Sequence, residues 1–147
     1  MIEQIVQDLV ADGGKFILAI LCASLVGWER ERLDKAAGLR THILICVGAC
    51  LFTVVGTKYI TPVNQGELLR VFQGIITGVG FVGAGAIIRQ GGFVRGLTTA
   101  AGVWVIAAIG LAIGAGEYTL ALFCTVLMFF IMHFVGHLPA RIKRKDD

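Results

Sequence analysis

The chain has 147 residues, 56% of them hydrophobic, with a mean hydropathy of +0.83 and a formal net charge of +3. That length is one domain's worth, and its apolar share exceeds the roughly 45–50% of soluble domains. A soluble fold of this size has too little interior to hide its long apolar stretches, so lipid rather than water is expected around most of the polypeptide.

Residues 1–14 read as an amphipathic N-terminal segment. Ile2, Ile5, Val6, Leu9 and Val10 share one face at helical spacing, and Gly13-Gly14 interrupts the pattern. Glu3, Asp8 and Asp12 stand where a cleavable signal would carry basic residues. An all-α membrane domain follows over 15–138, with five transmembrane helices predicted at 15–33, 40–59, 70–89, 97–115 and 118–138. A basic tail, 139–147, begins at Pro139 and closes with RIKRKDD.

In the first span, the apolar part from Phe16 to Trp28 covers only about 20 Å at 1.5 Å per residue. The helix is therefore expected to continue through Glu29 and Arg30, with the arginine reaching the headgroups. The stretch GWERERLDKAAGLRTH (27–42) then gathers seven charges. Arg30–Asp34 and Glu31–Lys35 are spaced i,i+4 and Glu29–Arg32 i,i+3, so six of the seven can pair locally, leaving Arg40 over.

The second span carries His42, Cys46 and Cys50 on one helical face, a stripe read as packing rather than a metal site for want of further ligands. All four cysteines, Cys124 and Cys22 included, sit in apolar runs and read as small hydrophobes. In the third span Gly78, Gly80 and Gly83 spell G-x-G-x-x-G. No strand precedes the run and no acidic residue lies about 20 positions on, so a dinucleotide site is rejected. Gly74, Gly78, Gly80, Gly83 and Gly85 read instead as helix-packing glycines. His133 and His137 close the fifth span beside the basic tail, where lipid headgroups or a partner would meet them.

A shift of 58 residues superposes GLRT (38–41) on GLTT (96–99), with seven identities over the thirty positions 27–56. Spans 1–2 and 3–4 then form a parallel repeat about an axis along the membrane normal. The two turns would sit at equivalent places, with Thr41 or Thr99 capping the helix that follows. The charge cluster has nearly vanished from the second copy, which keeps Arg89 and Arg95.

With five spans, ten of the thirteen Lys and Arg residues fall on one side: Arg30, Arg32, Lys35, Arg40, Arg89, Arg95, Arg141, Lys143, Arg144 and Lys145. Lys15, Lys58 and Arg70 fall on the other. The positive-inside rule puts the N-terminus outside and the C-terminus in the cytoplasm. Glu29 lies at the hydrocarbon boundary, where charge is expensive. With Asp34 it offers hard oxygen ligands of the kind magnesium takes. An ion pair from Glu29 to Arg40 or Arg95 is the competing reading. No set of residues supports catalysis, so the chain is not read as an enzyme, and no cofactor is expected beyond a Mg²⁺ ion.

The segments GWERERLDKAAGLRTH (27–42) and GFVGAGAIIRQGGFVRGLTTAAGVWVIAAIGLAIGAG (80–116) resemble the MgtC/SapB family of bacterial inner-membrane proteins. The resemblance rests on Gly27, Glu29, Arg30, Glu31, Gly38, Leu39, Arg40, Thr41, Gly80, Phe81, Gly83, Gly85, Arg95, Gly96, Leu97, Thr98, Thr99 and Trp104, and covers roughly 15–135. It implies a five-span domain linked to growth under magnesium limitation and, in pathogens, to survival inside host cells. Some family members act as regulators that bind other membrane proteins, including the ATP synthase and a phosphate-responsive kinase. The chain is similar to the short SapB type, without a C-terminal ACT-like domain.

The resemblance also implies a functional polar cluster of Glu29, Arg30, Arg40, Thr41, Arg95, Thr98 and Thr99. The first reading is a non-enzymatic regulator that docks other membrane proteins, with the bilayer, a homodimer and such proteins as partners and no nucleic acid. The alternative is a transporter or channel for magnesium or another small ion, its site at the cytoplasmic helix ends. Against it, the span centres hold little that is ionisable.

Overall fold

The structure, a computed structural model, describes residues 2–59, 66–90 and 93–134. It has helices α1 (Ile2–Arg32), α2 (Leu39–Lys58), α3 (Gly66–Gly85), α4 (Leu97–Ala115) and α5 (Tyr118–Phe134). Strands β1 (Ile88–Gln90) and β2 (Phe93–Arg95) form an antiparallel hairpin between α3 and α4, with Arg89 opposite Val94. Four helices are long and apolar enough to cross a membrane, the first of these spans being Val10–Arg32; α5 is apolar and shorter. The protein is thus an all-α, multi-pass membrane protein. The tail 139–147, with His137 before it, lies outside the described residues, as do the side chains of Ile2, Ile5, Val6 and Leu9.

Helix α4 touches all four other helices and forms the centre of the bundle. Its buried side chains Ile106, Ile109 and Ile113 meet Val26 of α1 and Cys46 and Cys50 of α2 in one apolar core. Lipid tails are as apolar as these side chains, so close van der Waals fit must hold the helices together. Glycine on α4 supplies it: a Cβ at Gly110 would overlap the Cys46 carbonyl oxygen, and one at Gly114 would lie 2.6 Å from Thr53 Cβ. Of the five glycines read as packing residues on α3, only Gly83 meets a neighbour, the Ala100 carbonyl oxygen at 3.4 Å. Gly74, Gly78, Gly80 and Gly85 face outward on the chain described. The stripe of Gly74, Gly78 and Gly85 is turned away from the bundle, and Gly83 alone of the five faces α4.

Helix α1 runs unbroken through Gly13-Gly14, so the predicted interruption is absent. Two glycines weaken a helix by about 1 kcal/mol each relative to alanine. Asp12 offsets this by joining Lys15 at 3.6 Å and Lys58 of α2 at 2.8 Å. Lys15 also donates to the Gly114 carbonyl oxygen at 3.3 Å, satisfying an orphan acceptor at the negative end of α4. These contacts clamp one end of the bundle.

At the other end α1 stops in a Schellman turn. Lys35 N–H donates to the Arg30 oxygen and Asp34 N–H to the Glu31 oxygen, with Asp34 at φ 51°. That left-handed turn carries Asp34 and Lys35 off the helix face. The expected pairs Arg30–Asp34 and Glu31–Lys35 therefore do not form among the described residues, and Glu29–Arg32 is absent because Glu29 is drawn elsewhere.

The two Gly-Leu-x-Thr turns do occupy equivalent places: Gly38 is the N-cap of α2 and Gly96 that of α4. Neither Thr41 nor Thr99 caps its helix. Gly96 has φ 89°, and a Cβ there would collide with the Ala86 carbonyl oxygen, so only glycine fits the join between hairpin and helix.

Candidate functional site

The ends of α1, α3 and α5 and the beginnings of α2 and α4 converge on one rim of the bundle. Gly27 brings α1 and α2 together there, its would-be Cβ 2.9 Å from Leu39 Cα. Among the described residues Arg30, Arg32, Lys35, Arg40, Arg89 and Arg95 gather on this rim and none forms an ion pair. The rim is electropositive because these six cations outnumber its three carboxylates, Glu29, Glu31 and Asp34.

Glu29 reaches α5 rather than Arg40 or Arg95. His133 donates through Nδ1–H to Glu29 Oε1 at 2.9 Å, across 104 residues of sequence. The carboxylate can only accept, so the contact itself assigns the proton to Nδ1. The Glu29 side chain is 11% exposed, and its Oε2 is buried without a partner. Phe129 stacks on the same imidazole with centroids 5.7 Å apart. The pair edges a cavity of about 630 Å³ lined by Ser24, Leu25, Trp28 and Arg32 as well.

Glu31 serves a different end. Its Oε2 accepts the Leu39 N–H at 2.6 Å, placing a negative charge at the positive amino-terminal end of α2. Gly38 makes room, since a Cβ there would lie 2.7 Å from that oxygen. His42, fully buried behind it, donates Nδ1–H to the Gly38 carbonyl oxygen at 2.8 Å.

A larger cavity, about 930 Å³, opens between α1, α4 and α5. Arg30, Lys35, Thr98 and Thr99 line its mouth, and Val105, Leu127, Met128 and Ile131 its deeper walls. Arg30 is only 5% exposed and its Nε has no hydrogen-bond partner.

The structure thus brings Arg30, Thr98 and Thr99 of the predicted cluster into one cavity and sets Glu29 in the neighbouring one. Arg40 and Arg95 stand exposed on the same rim, and Thr41 is half-buried near the start of α2. Among the described residues no group of three His, Cys, Asp or Glu side chains is placed to hold a metal. Glu29 faces His133, and Asp34 is exposed in the turn beyond α1. The His42–Cys46–Cys50 stripe is buried against α4. Sequence reading missed the Glu29–His133 contact and the capping role of Glu31. For Glu31 the Gly38-Leu39 turn eight residues on was the available signal; for His133 no local signal existed.

A profile of the MgtC family matches residues 16–141. YhiD of Escherichia coli K12, named as a proposed magnesium transporter, is 37% identical over 137 residues, which is 90% of this chain and 64% of YhiD. Protein MgtC of Salmonella typhimurium is 39% identical over 112 residues, covering 76% of this chain and 47% of that protein. Protein MgtC of Brucella abortus is 40% identical over 113 residues, 77% of this chain and 46% of its own length. The chain therefore spans between about half and two thirds of the length of these relatives. No solved structure matches.

Proposed function

Because this chain belongs to the MgtC family, we propose that it is a bacterial inner-membrane protein of magnesium adaptation. In this reading it acts as a non-enzymatic regulator whose basic rim, on the cytoplasmic side, docks other membrane proteins. The link to magnesium comes from the family and from the name of YhiD. One observation carries the choice of regulator over transporter. The rim holds six basic side chains that form no ion pair among the described residues, all but Arg30 exposed, while Glu29 is engaged by His133 and Glu31 by the α2 amino terminus. A strongly hydrated divalent cation needs carboxylate or carbonyl oxygens along its way, and a vestibule of this sign repels it. The same sign attracts the acidic surface of a partner.

The test is reconstitution in liposomes with an entrapped magnesium indicator. The regulator reading expects no flux above that of protein-free vesicles. Specific flux that Glu29→Gln abolishes would replace it with an ion pathway through the Glu29–His133 site. In parallel, crosslinking in native membranes through a photoreactive residue at Arg40 is expected to capture one defined membrane protein. Recovery of self-adducts alone would count against docking.

A further inference from the structure

The two halves of the repeat begin their second helices differently. In the first half, the carboxylate of Glu31 sits on the amino terminus of α2. The residue 58 positions on is Arg89, so the counterpart of that carboxylate is a cation. Helix α4 thus starts with no side-chain cap, at Gly96 in the left-handed conformation. Its first N–H groups point toward the rim with the positive end of the helix dipole behind them. What fills the corresponding place is the mouth of the 930 Å³ cavity, with Arg30, Lys35 and the hydroxyls of Thr98 and Thr99 around it.

Arg30 makes this more than an uncapped helix. A guanidinium that is 5% exposed, with a buried Nε that has no hydrogen-bond partner among the described residues, lacks the hydrogen bonding that burying a charge demands. Neither nearby carboxylate hydrogen-bonds it: Glu29 acts on it through its charge alone while bonding His133, and Glu31 bonds Leu39. A fork of N–H donors beside a helix amino terminus is suited to an oxyanion of phosphoryl type. A carboxylate, phosphate or phosphodiester shares that chemistry.

The walls of the cavity select among them. Below Arg30 it is lined by Val105 of α4 and by Leu127, Met128 and Ile131 of α5, and Leu127 and Ile131 are also exposed on the bundle's outer surface. From Gly96 to Val105 the groove descends about 14 Å at 1.5 Å per residue, close to half of the ~30 Å hydrocarbon core. A cationic mouth above one leaflet's depth of apolar groove fits a lipid, not a free ion. We propose that this cavity binds one acidic phospholipid of the rim-side leaflet. Arg30, Lys35 and the amino-terminal N–H groups of α4 hold its phosphate, and an acyl chain lies between α4 and α5. The bound lipid does for α4 what Glu31 does for α2. The site requires only that the chain be a membrane protein, so it stands or falls separately from the regulator reading.

The experiment is native mass spectrometry of the full-length chain, delipidated in detergent and titrated with phosphatidylglycerol, phosphatidylcholine or inorganic phosphate. Expected is one retained phosphatidylglycerol per chain, with phosphatidylcholine bound at least roughly tenfold more weakly, because its choline cation is repelled by the Arg30 and Lys35 side chains that hold the phosphate both lipids share. Arg30→Gln should weaken phosphatidylglycerol by a similar factor, and Arg30→Lys by less. Thr98→Glu guards against misfolding of the Arg30 variants. It places a carboxylate in the first turn of α4, where acidic residues favour a helix. It is expected to expel the lipid while raising the midpoint of thermal unfolding in lipid-free detergent. Equal retention of the two lipids, or full phosphatidylglycerol binding by folded Thr98→Glu, overturns the proposal. Displacement of phosphatidylglycerol by millimolar inorganic phosphate also overturns it, in favour of a free-anion site.

Discussion

Single side chains decide how the charges of residues 27–42 are spent. Glu31 lies on an exposed turn of α1 yet serves α2, because its carboxylate meets the Leu39 N–H at 2.6 Å. Removing an N-terminal cap costs about 1 kcal/mol, and the charge adds a dipole contribution that exposure keeps small. Glu31→Ala should therefore lower the thermal unfolding midpoint of the detergent-solubilised protein by a few degrees, on the scale that about 1 kcal/mol produces. Arg32→Ala, which removes an exposed cation without a hydrogen-bond partner, should leave it unchanged. An equal shift in both variants would mean that loss of any long side chain at this helix end, not loss of a cap, lowers the midpoint. Local spacing alone favoured pairing Glu31 with Lys35 at i,i+4. The Schellman turn at Asp34 defeats that pairing, and a turn of this kind with aspartate in place of glycine leaves little trace in a sequence.

At the scale of elements, the helices were the legible part. The fourth span was expected at 97–115 and α4 occupies Leu97–Ala115, because glycines at 96 and 116, both at φ 89°, bound an unbroken apolar run. The first span's continuation past Trp28 was legible too, since the bilayer demands more length than 16–28 supplies. Which helices meet was less so. Glycine spacing on α3 marks a small-residue face, but nothing in one chain's sequence says whether that face turns inward. The close crossing instead joins α2 and α4, through Gly110 against the Cys46 carbonyl and Gly114 against Thr53. The third span was expected to run to residue 89, yet α3 ends at Gly85 and a strand begins at Ile88; strands of three residues carry too few positions for a period-2 pattern to register. The crossing yields a sharp expectation. Gly110→Leu must separate two helix backbones in a core that tolerates overpacking only at about 1–3 kcal/mol or more. It should abolish a cooperative thermal transition, whereas Gly78→Leu, with open space around its Cβ position, should leave the transition intact. Differential scanning of the two purified variants checks both. An unaltered transition in Gly110→Leu would remove α4 from the centre of the bundle.

The whole molecule is polarised by charge in a way that bears on its direction in the membrane. At the end opposite the rim, the three cations Lys15, Lys58 and Arg70 are each set beside an acid: Asp12 takes the first two and Glu67 the third, at 3.7 Å. At the rim the six cations form no ion pair among the described residues. Lys and Arg retained on the cytoplasmic side orient a polytopic chain, and a negatively charged inner leaflet attracts unpaired cations more than neutralised ones. Both effects make an inward-facing rim the expected orientation. Single cysteines report the direction, because the native thiols at 22, 46 and 50 are buried and Cys124 is half-buried between α4 and α5. Arg40→Cys on the rim should react with a membrane-impermeant maleimide only after the cells are permeabilised. Glu117→Cys, exposed in the turn between α4 and α5 at the opposite end, should react in intact cells. The reverse pattern would turn the basic rim outward, remove the cytoplasmic docking surface, and move the lipid groove to the outer leaflet. Labelling of both positions in intact cells would mean that the chain inserts in two directions, so that charge bias alone does not set its topology.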